Sequence, residues 1–509
     1  MDINFTKHNI VTEETLVSTS VEIPVESNIV IYGESDMKRL IKSCFHAAIT
    51  SKSINERSVT IEGMVTVGLI YIDEDNCLCN HEHTIPFSKT VETEYELGGA
   101  VVVAEITDRR LSAHCTSENK VAVSGAISIS LKVTKDTEQE IICDIDNRDI
   151  EQLCEKTGLT MPMGYGEKNL ICEEEISVGN GQPSVKCLIR HNATASVEET
   201  KIINNKVMVK GTVKVYVLYM SDEGTRPQSF EESFPFSQLV EVNGINEDCK
   251  CFSTAEIIFC ELKPHSAEEE IRSFNVSLKL CVRVKGYCDD EIPVLLDAYS
   301  TKQACSAVHN NFTFKKITEN VNDRFVAKKT LEFTDGAIGS IIDVWCESKT
   351  NSSRFENGKL IISGVMQVNI LAYDCDGVPS CYERPIEFEY AYRPEGELKN
   401  PQAEYCINVI HCSYTILGAN TMSVALEILV CATVYDNIKH RLLTDICEAE
   451  DGGAESDRSS SIVLYFADEG ERVWDIARRY NSSVKEIKQL NGIENDIIRM
   501  PSKVVIPTK

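Results

Sequence analysis

The chain has 509 residues, 42% of them apolar and 26% charged, and a net charge of −28. That length allows three or four domains with cores of their own, and the composition is that of an ordinary globular protein. The acidic balance argues against a nucleic-acid partner or an anionic membrane surface, since both need clustered Lys and Arg.

In chain order, the first distinctive element is the predicted strand Val59-Thr60-Ile61-Glu62-Gly63-Met64-Val65-Thr66-Val67. The pattern returns as Val207-Met208-Val209-Lys210-Gly211-Thr212-Val213-Lys214-Val215 and as Leu360-Ile361-Ile362-Ser363-Gly364-Val365-Met366-Gln367-Val368. The three glycines lie 148 and 153 residues apart. Alternation is clearest in the second copy, where Val207, Val209, Val213, Val215 and Val217 face one way and Lys206, Lys210 and Lys214 the other, as in a strand with one wet face.

Each strand runs into an acidic turn: Asp73-Glu74-Asp75-Asn76, Ser221-Asp222-Glu223-Gly224 and Asp374-Cys375-Asp376-Gly377. Asn, Asp and Gly tolerate the positive φ of tight turns, so a hairpin is predicted at each. Ile85-Pro86-Phe87, Phe234-Pro235-Phe236 and Ile386-Glu387-Phe388 follow 22, 23 and 22 residues after the glycines, as the returning strands. Further β-rich runs close each copy at 121–133, 274–284 and 422–435. The chain is therefore expected to be mainly β, with three antiparallel sandwich or barrel-like domains over 1–165, 166–325 and 326–447.

The 21 cysteines form an odd number in a large chain. They read as reduced, small core residues, as at Cys281, Cys412 and Cys431. Cys77, Cys79, His81 and His83 are all potential zinc ligands, but a straight strand spreads them over roughly 20 Å, so no metal site is expected. No apolar run of about 18 residues and no signal-peptide pattern is present, which leads to the expectation of a cytoplasmic chain without membrane insertion. No phosphate-binding glycine loop, Gly-x-Ser-x-Gly elbow or His-Glu-x-x-His motif occurs. Asp144 and Asp146 read as solvated acids. The chain is expected to be no enzyme and to need no cofactor.

Residues 448–461, Glu448-Ala449-Glu450-Asp451-Gly452-Gly453-Ala454-Glu455-Ser456-Asp457-Arg458-Ser459-Ser460-Ser461, lack the apolar content for a core and read as a flexible acidic linker. Beyond them the balance changes: 462–509 is near +1, leaving about −29 on what precedes it. A strand is predicted at Ile462–Phe466, and then a helix with Val473, Ile476, Ala477 and Tyr480 on one face. A second helix opens on the capping box Ser483-x-x-Glu486 and is expected to bury Val484, Ile487 and Leu490. Lys503–Pro507 closes a βααβ unit.

Gly470-Glu471-Arg472-Val473-Trp474-Asp475-Ile476-Ala477, with Tyr480, Asn491 and Val505-Ile506-Pro507, resembles a LysM domain. By position, the family's glycan groove falls on Gly470, Glu471 and Arg472 and on Ile497, Ile498, Arg499 and Pro501. The family usually has Asp-Thr where Glu471-Arg472 stand and a Gly where Pro501 stands; Pro501 offers no N–H. Val473, Trp474 and Arg478 complete the candidate partner- or glycan-binding set, with Tyr480 as a further candidate anchor.

The three upstream copies resemble SPOCS domains of spore coat morphogenetic proteins, on the strength of the Gly63, Gly211 and Gly364 strands, the acidic turns and the Ile/Phe-x-Phe segments. SPOCS repeats followed by LysM resemble the clostridial SipL type and, more distantly, the SpoVID type. The resemblance implies a coat-assembly scaffold in the mother-cell cytoplasm at the forespore surface, incorporated in the spore coat. It implies binding to the coat ATPase SpoIVA and other coat proteins through the LysM tail and the repeats. A LysM tail that holds the chain to peptidoglycan of the cortex is the alternative.

Overall fold

The computed structural model describes residues 3–508 except 33–35, 75, 180, 223–225, 266–269, 303–304, 334–337, 419 and 449–461. Residues 449–461 of the expected acidic linker and parts of the first two acidic turns thus lie outside the described residues, while Glu448 ends a strand. In the third turn Gly377 takes a φ of 76°, and Asn76 in the first a φ of 62°, the left-handed region these residue types tolerate.

One six-stranded unit occurs three times. The first comprises β1 (Phe5–Val30), β2 (Met37–Asn55), β3 (Ser58–Asp73), β4 (Leu78–Glu92), β5 (Val101–Ser117) and β6 (Lys120–Ile145). The second comprises β7 (Ile150–Ser177), β8 (Val185–Ile203), β9 (Lys206–Ser221), β10 (Pro227–Glu241), β11 (Lys250–Pro264) and β12 (Ser273–Ser300). The third comprises β13 (Cys305–Glu332), β14 (Ile338–Glu356), β15 (Lys359–Asp374), β16 (Pro379–Tyr392), β17 (Pro401–Gly418) and β18 (Thr421–Glu448).

In each unit a meander sheet (β2-β3-β4, β8-β9-β10, β14-β15-β16) packs on a sheet built from the first, sixth and fifth strands (β1-β6-β5, β7-β12-β11, β13-β18-β17). All pairings are antiparallel, so the mainly-β sandwich expected from the alternation is what forms. Separate cores fill the three sandwiches. In the second, Val207, Val209, Val213, Val215 and Val217 are wholly buried, as their spacing requires.

The repeat glycine and the repeat phenylalanine turn out to be partners. Gly63 sits opposite Phe87, Gly211 opposite Phe236 and Gly364 opposite Phe388 on neighbouring strands. At Gly63 and Gly211 the ring lies over the bare backbone: a Cβ there would stand 2.2 Å from Phe87 Cζ or 2.7 Å from the Phe236 ring. Glycine is thus required by close approach.

β7 and β13 cross the boundaries expected at 165/166 and 325/326, because each unit begins with a long strand that pairs along its whole length with the last strand of the same unit. The outer halves of these strand pairs form arms that leave the sandwich. Their burial alternates irregularly, since they pack against other arms rather than on a sheet, and the sequence pattern there is correspondingly weak.

The arms join the three units. Ile142 and Ile145, Leu295 and Ala298, and Leu443 and Ile446 occupy equivalent positions and share one cluster. Ile10, Ile141, Leu159, Ile292, Val294, Phe314 and Leu442 form another. The meander sheets meet as well, through Ile70 and Ile72, Leu218 and Met220, and Leu371, with Trp345 among them. Because equivalent strands of all three units supply each cluster, the units pack about a common centre.

Charges also cross these joints. Lys285 Nζ lies 2.6 Å from Glu13, and Lys132 Nζ 2.7 Å from Glu404. Burial pushes the Glu404 carboxyl up, but the fields of Lys315, Lys285 and Lys132 and the Lys132 hydrogen bond outweigh it and hold the group at about 2. His191 Nε2 stands 2.9 Å from Glu82 of the first unit. Burial lowers its pKa, yet hydrogen bonds with Cys260 and Glu82 raise it to about 9.

The signs of the two effects are opposite. The depressed Glu404 stabilises above the ordinary carboxylate range and loses that contribution as pH falls toward 2; screening at its 43% exposed side chain limits it to about 1 kcal/mol. The raised His191 stabilises fully below about 6.5 and loses its contribution, on the order of 3 kcal/mol, as pH rises through 9. His191→Gln is therefore expected to lower the urea midpoint at pH 6 and to approach the parent above pH 9.5. A pH-independent difference between the two proteins would contradict this.

All 21 cysteines are free thiols. Burial pushes the Cys44 and Cys412 thiols up to about 12, so they stay protonated. The candidate ligands Cys79, His81 and His83 are spread along β4, opposite Tyr71, Leu69 and Val67. Cys79 Sγ points to Asp73 Oδ2 at 3.7 Å, and Cys77 Sγ lies 4.0 Å from Lys186 Nζ. Asp144 and Asp146 are exposed, Asp146 just past the end of β6. Among the described residues no helix is long and apolar enough to cross a membrane.

Candidate functional site

The tail folds as β19 (Ile462–Ala467), α1 (Val473–Arg479), α2 (Val484–Asn491) and β20 (Ser502–Pro507), with β19 and β20 paired antiparallel. Val473, Ile476, Ala477, Ile487, Val504 and Ile506 form its core. Ser483 takes the N-cap position of α2, but its side chain makes no capping hydrogen bond. Leu490, expected inside, is 60% exposed. The inward face of α2 instead runs through Val484, Ile487 and Asn491, and the amide of Asn491 is bonded both ways to the Val505 backbone, at 2.8 and 2.7 Å. A polar clasp holds β20 where a leucine was expected.

The two loops of the candidate groove are joined by backbone bonds. Gly470 N donates to Ile498 O and Ile498 N to Glu471 O, both at 2.8 Å, and Val473 N donates to Asp496 O at 2.9 Å. Arg472 and Ile497 form a bridge between the loops. Gly470 reaches this geometry with a φ of 92°, a conformation that favours glycine. Glu471 is turned inward: its carboxylate accepts from Tyr465 OH at 2.9 Å and from Asp468 N at 3.1 Å.

Burial divides the predicted set. Val473 and Ile498 are core residues, 0% and 4% exposed. Gly470, Arg472, Ile497, Arg499 and Pro501 form an exposed rim. Met500, 74% exposed, stands between Arg499 and Pro501 and lies outside the set that the sequence suggests, because a bare apolar side chain in a loop is visible only once burial is known. The rim therefore presents two guanidinium groups, three apolar side chains (Ile497, Met500 and Pro501) and no aromatic ring.

Trp474 and Arg478 point elsewhere. Both meet Asp297 of β12, through Trp474 Nε1 to Asp297 Oδ2 at 3.1 Å and through the Arg478 guanidinium on the same oxygen. Tyr480 packs edge to face against Tyr465. Asp297 lies 177 residues before Trp474, and no local pattern links the two.

Residues 36–116 and 184–264 match the family described as SipL, SPOCS domain, and residues 469–507 match the LysM domain. The two SPOCS matches cover β2–β5 and β8–β11; β14–β17 repeat the same strand order in the third unit. No curated protein and no solved structure matches. SPOCS and LysM are non-catalytic binding domains, and their combination indicates a sporulation-related protein with a peptidoglycan-binding type of module. The chain thus carries two SPOCS domains of the SipL family ahead of a C-terminal LysM domain, a combination that matches a SipL-type protein.

Proposed function

We propose that the chain is a non-enzymatic scaffold of spore coat assembly, working in the mother-cell cytoplasm at the forespore surface. Its LysM rim and SPOCS body bind the coat ATPase SpoIVA and other coat proteins. The observation that carries this reading is the rim itself, where Arg472, Ile497, Arg499 and Met500 offer the mixture of guanidinium and apolar contacts that protein partners use. Packing of the three repeats into one body supports it further, because several surfaces held together act with high effective concentration.

The test is binding of the full chain to purified SpoIVA-type ATPase, compared with pelleting on purified peptidoglycan. Ile497→Asp combined with Met500→Asp is expected to weaken ATPase binding at least tenfold, since two exposed apolar contacts are replaced by charges at no cost to the core. Binding to peptidoglycan with none to the ATPase would instead establish the second reading, a cortex-binding protein, which the LysM match favours.

A further inference from the structure

The face of α1 that carries Trp474 and Arg478 is occupied by the chain's own second repeat. Asp297, on the arm strand β12, is only 7% exposed. One of its carboxylate oxygens takes Trp474 Nε1 and the Arg478 guanidinium, both from the LysM module. The other accepts from Ala298 N at 3.0 Å and has His309 Nε2 at 3.6 Å. Two residues on, Tyr299 donates its hydroxyl to Ser482 O at 2.7 Å, and its ring meets Trp474 edge to face at 5.0 Å. Tyr299 and Leu153 of the arm are thereby part of the module's own hydrophobic cluster.

The other two arms show what is particular to this one. Asp144 and Asp445 hold the positions equivalent to Asp297, next to the shared arm cluster, and both are exposed. Where the second arm has Tyr299, the first has Asp146 and the third Cys447. A carboxylate alone is common to all three arms; a carboxylate with a tyrosine two residues further along the strand occurs in the second.

We propose that Asp297 and Tyr299 are a latch that seats the LysM module on the second repeat in one orientation with its groove rim open. Gly470, Arg472, Ile497, Arg499, Met500 and Pro501 are exposed while Trp474 and Arg478 are engaged, so the latched module leaves the rim available. The module then acts as a fixed fourth body, and a partner meets the rim and the SPOCS surface at a set angle. Arg478 is 48% exposed on the module side, and its loss leaves the Asp297 carboxylate without its guanidinium partner.

The latch is tested without any ligand, so its failure is separate from failure of the functional reading. The chain has two tryptophans, and Trp345 is buried at the joint between repeats, so a change confined to the tail is read from Trp474. In the full chain, Arg478→Glu is expected to shift the latched-to-free ratio at least about a hundredfold toward free. The readouts are a red shift of tryptophan emission and a larger radius of gyration in small-angle scattering. Asp297→Lys should do the same, and the pair Asp297→Lys with Arg478→Glu should recover part of the parent signal. Asp144→Lys, at the equivalent site on the first arm, should leave emission and radius at parent values. Unchanged emission and radius in Arg478→Glu, whose half-exposed side chain is no part of the module's core, would overturn the proposal. An equal response to Asp144→Lys would overturn it too.

Discussion

Arg190→Ala is expected to lower stability by about 3–5 kcal/mol. Arg190 on β8 reaches across to the third repeat, with Nη1 3.0 Å from Asp343 Oδ2 and the guanidinium 4.5 Å from the centre of the Trp345 ring. Tyr216 OH donates to the other Asp343 oxygen at 2.9 Å. Asp343 and Arg190 side chains are 7% and 13% exposed, so removing the arginine leaves a carboxylate with little water and no cation. Trp345 is part of this joint and reports its opening. The urea midpoint read from its emission should fall by about 1–2 M. Arg190→Lys should be intermediate, since it keeps the charge but loses the planar stacking. Replacing both partners, Arg190→Met with Asp343→Leu, should regain most of the loss, because no unpaired charge remains. A midpoint for Arg190→Ala within experimental error of the parent would show that the joint is held by its apolar residues alone.

What the sequence discloses follows from the range of the forces involved. Val207 to Val217 and their counterparts reveal their strands because one wet and one dry face impose a period of two on adjacent residues. The tail was equally legible, since Val473, Ile476 and Ala477 obey a helical period within a few residues. The arms were not: β7 and β13 bury side chains against other arms in an irregular order, so the expected boundaries fell inside them. Leu490 misled because its spacing from Ile487 fits the helix face, while the place it would fill is taken by Asn491 bonded to Val505. Asp297 and Tyr299 carried no sign at all, because the groups that give them meaning arrive from a module more than 170 residues downstream.

Gly63→Ala should cost about 3 kcal/mol, the upper end for inserting a methyl group into a packed interior, whereas Gly68→Ala in the same strand should be neutral or slightly stabilising. Both glycines lie in β3 without a left-handed φ, so backbone strain is equal and space alone separates them. A Cβ on Gly63 would stand 2.2 Å from Phe87 Cζ and 2.4 Å from the Ala48 carbonyl oxygen; one on Gly68 would meet nothing nearer than Cys44 Cβ at 3.9 Å. The ring could turn aside, but the carbonyl belongs to the neighbouring strand and is fixed by the β2–β3 ladder. Hence Phe87→Ala placed on top of Gly63→Ala should not rescue it, because the backbone clash persists and the core loses a ring that is 8% exposed. Gly211→Ala should behave likewise, with Ser196 O only 2.0 Å from the new methyl group. Denaturant midpoints for the four variants decide the matter. Equal midpoints for Gly63→Ala and Gly68→Ala would mean that the glycine shared by the repeats serves something other than the close seating of its phenylalanine.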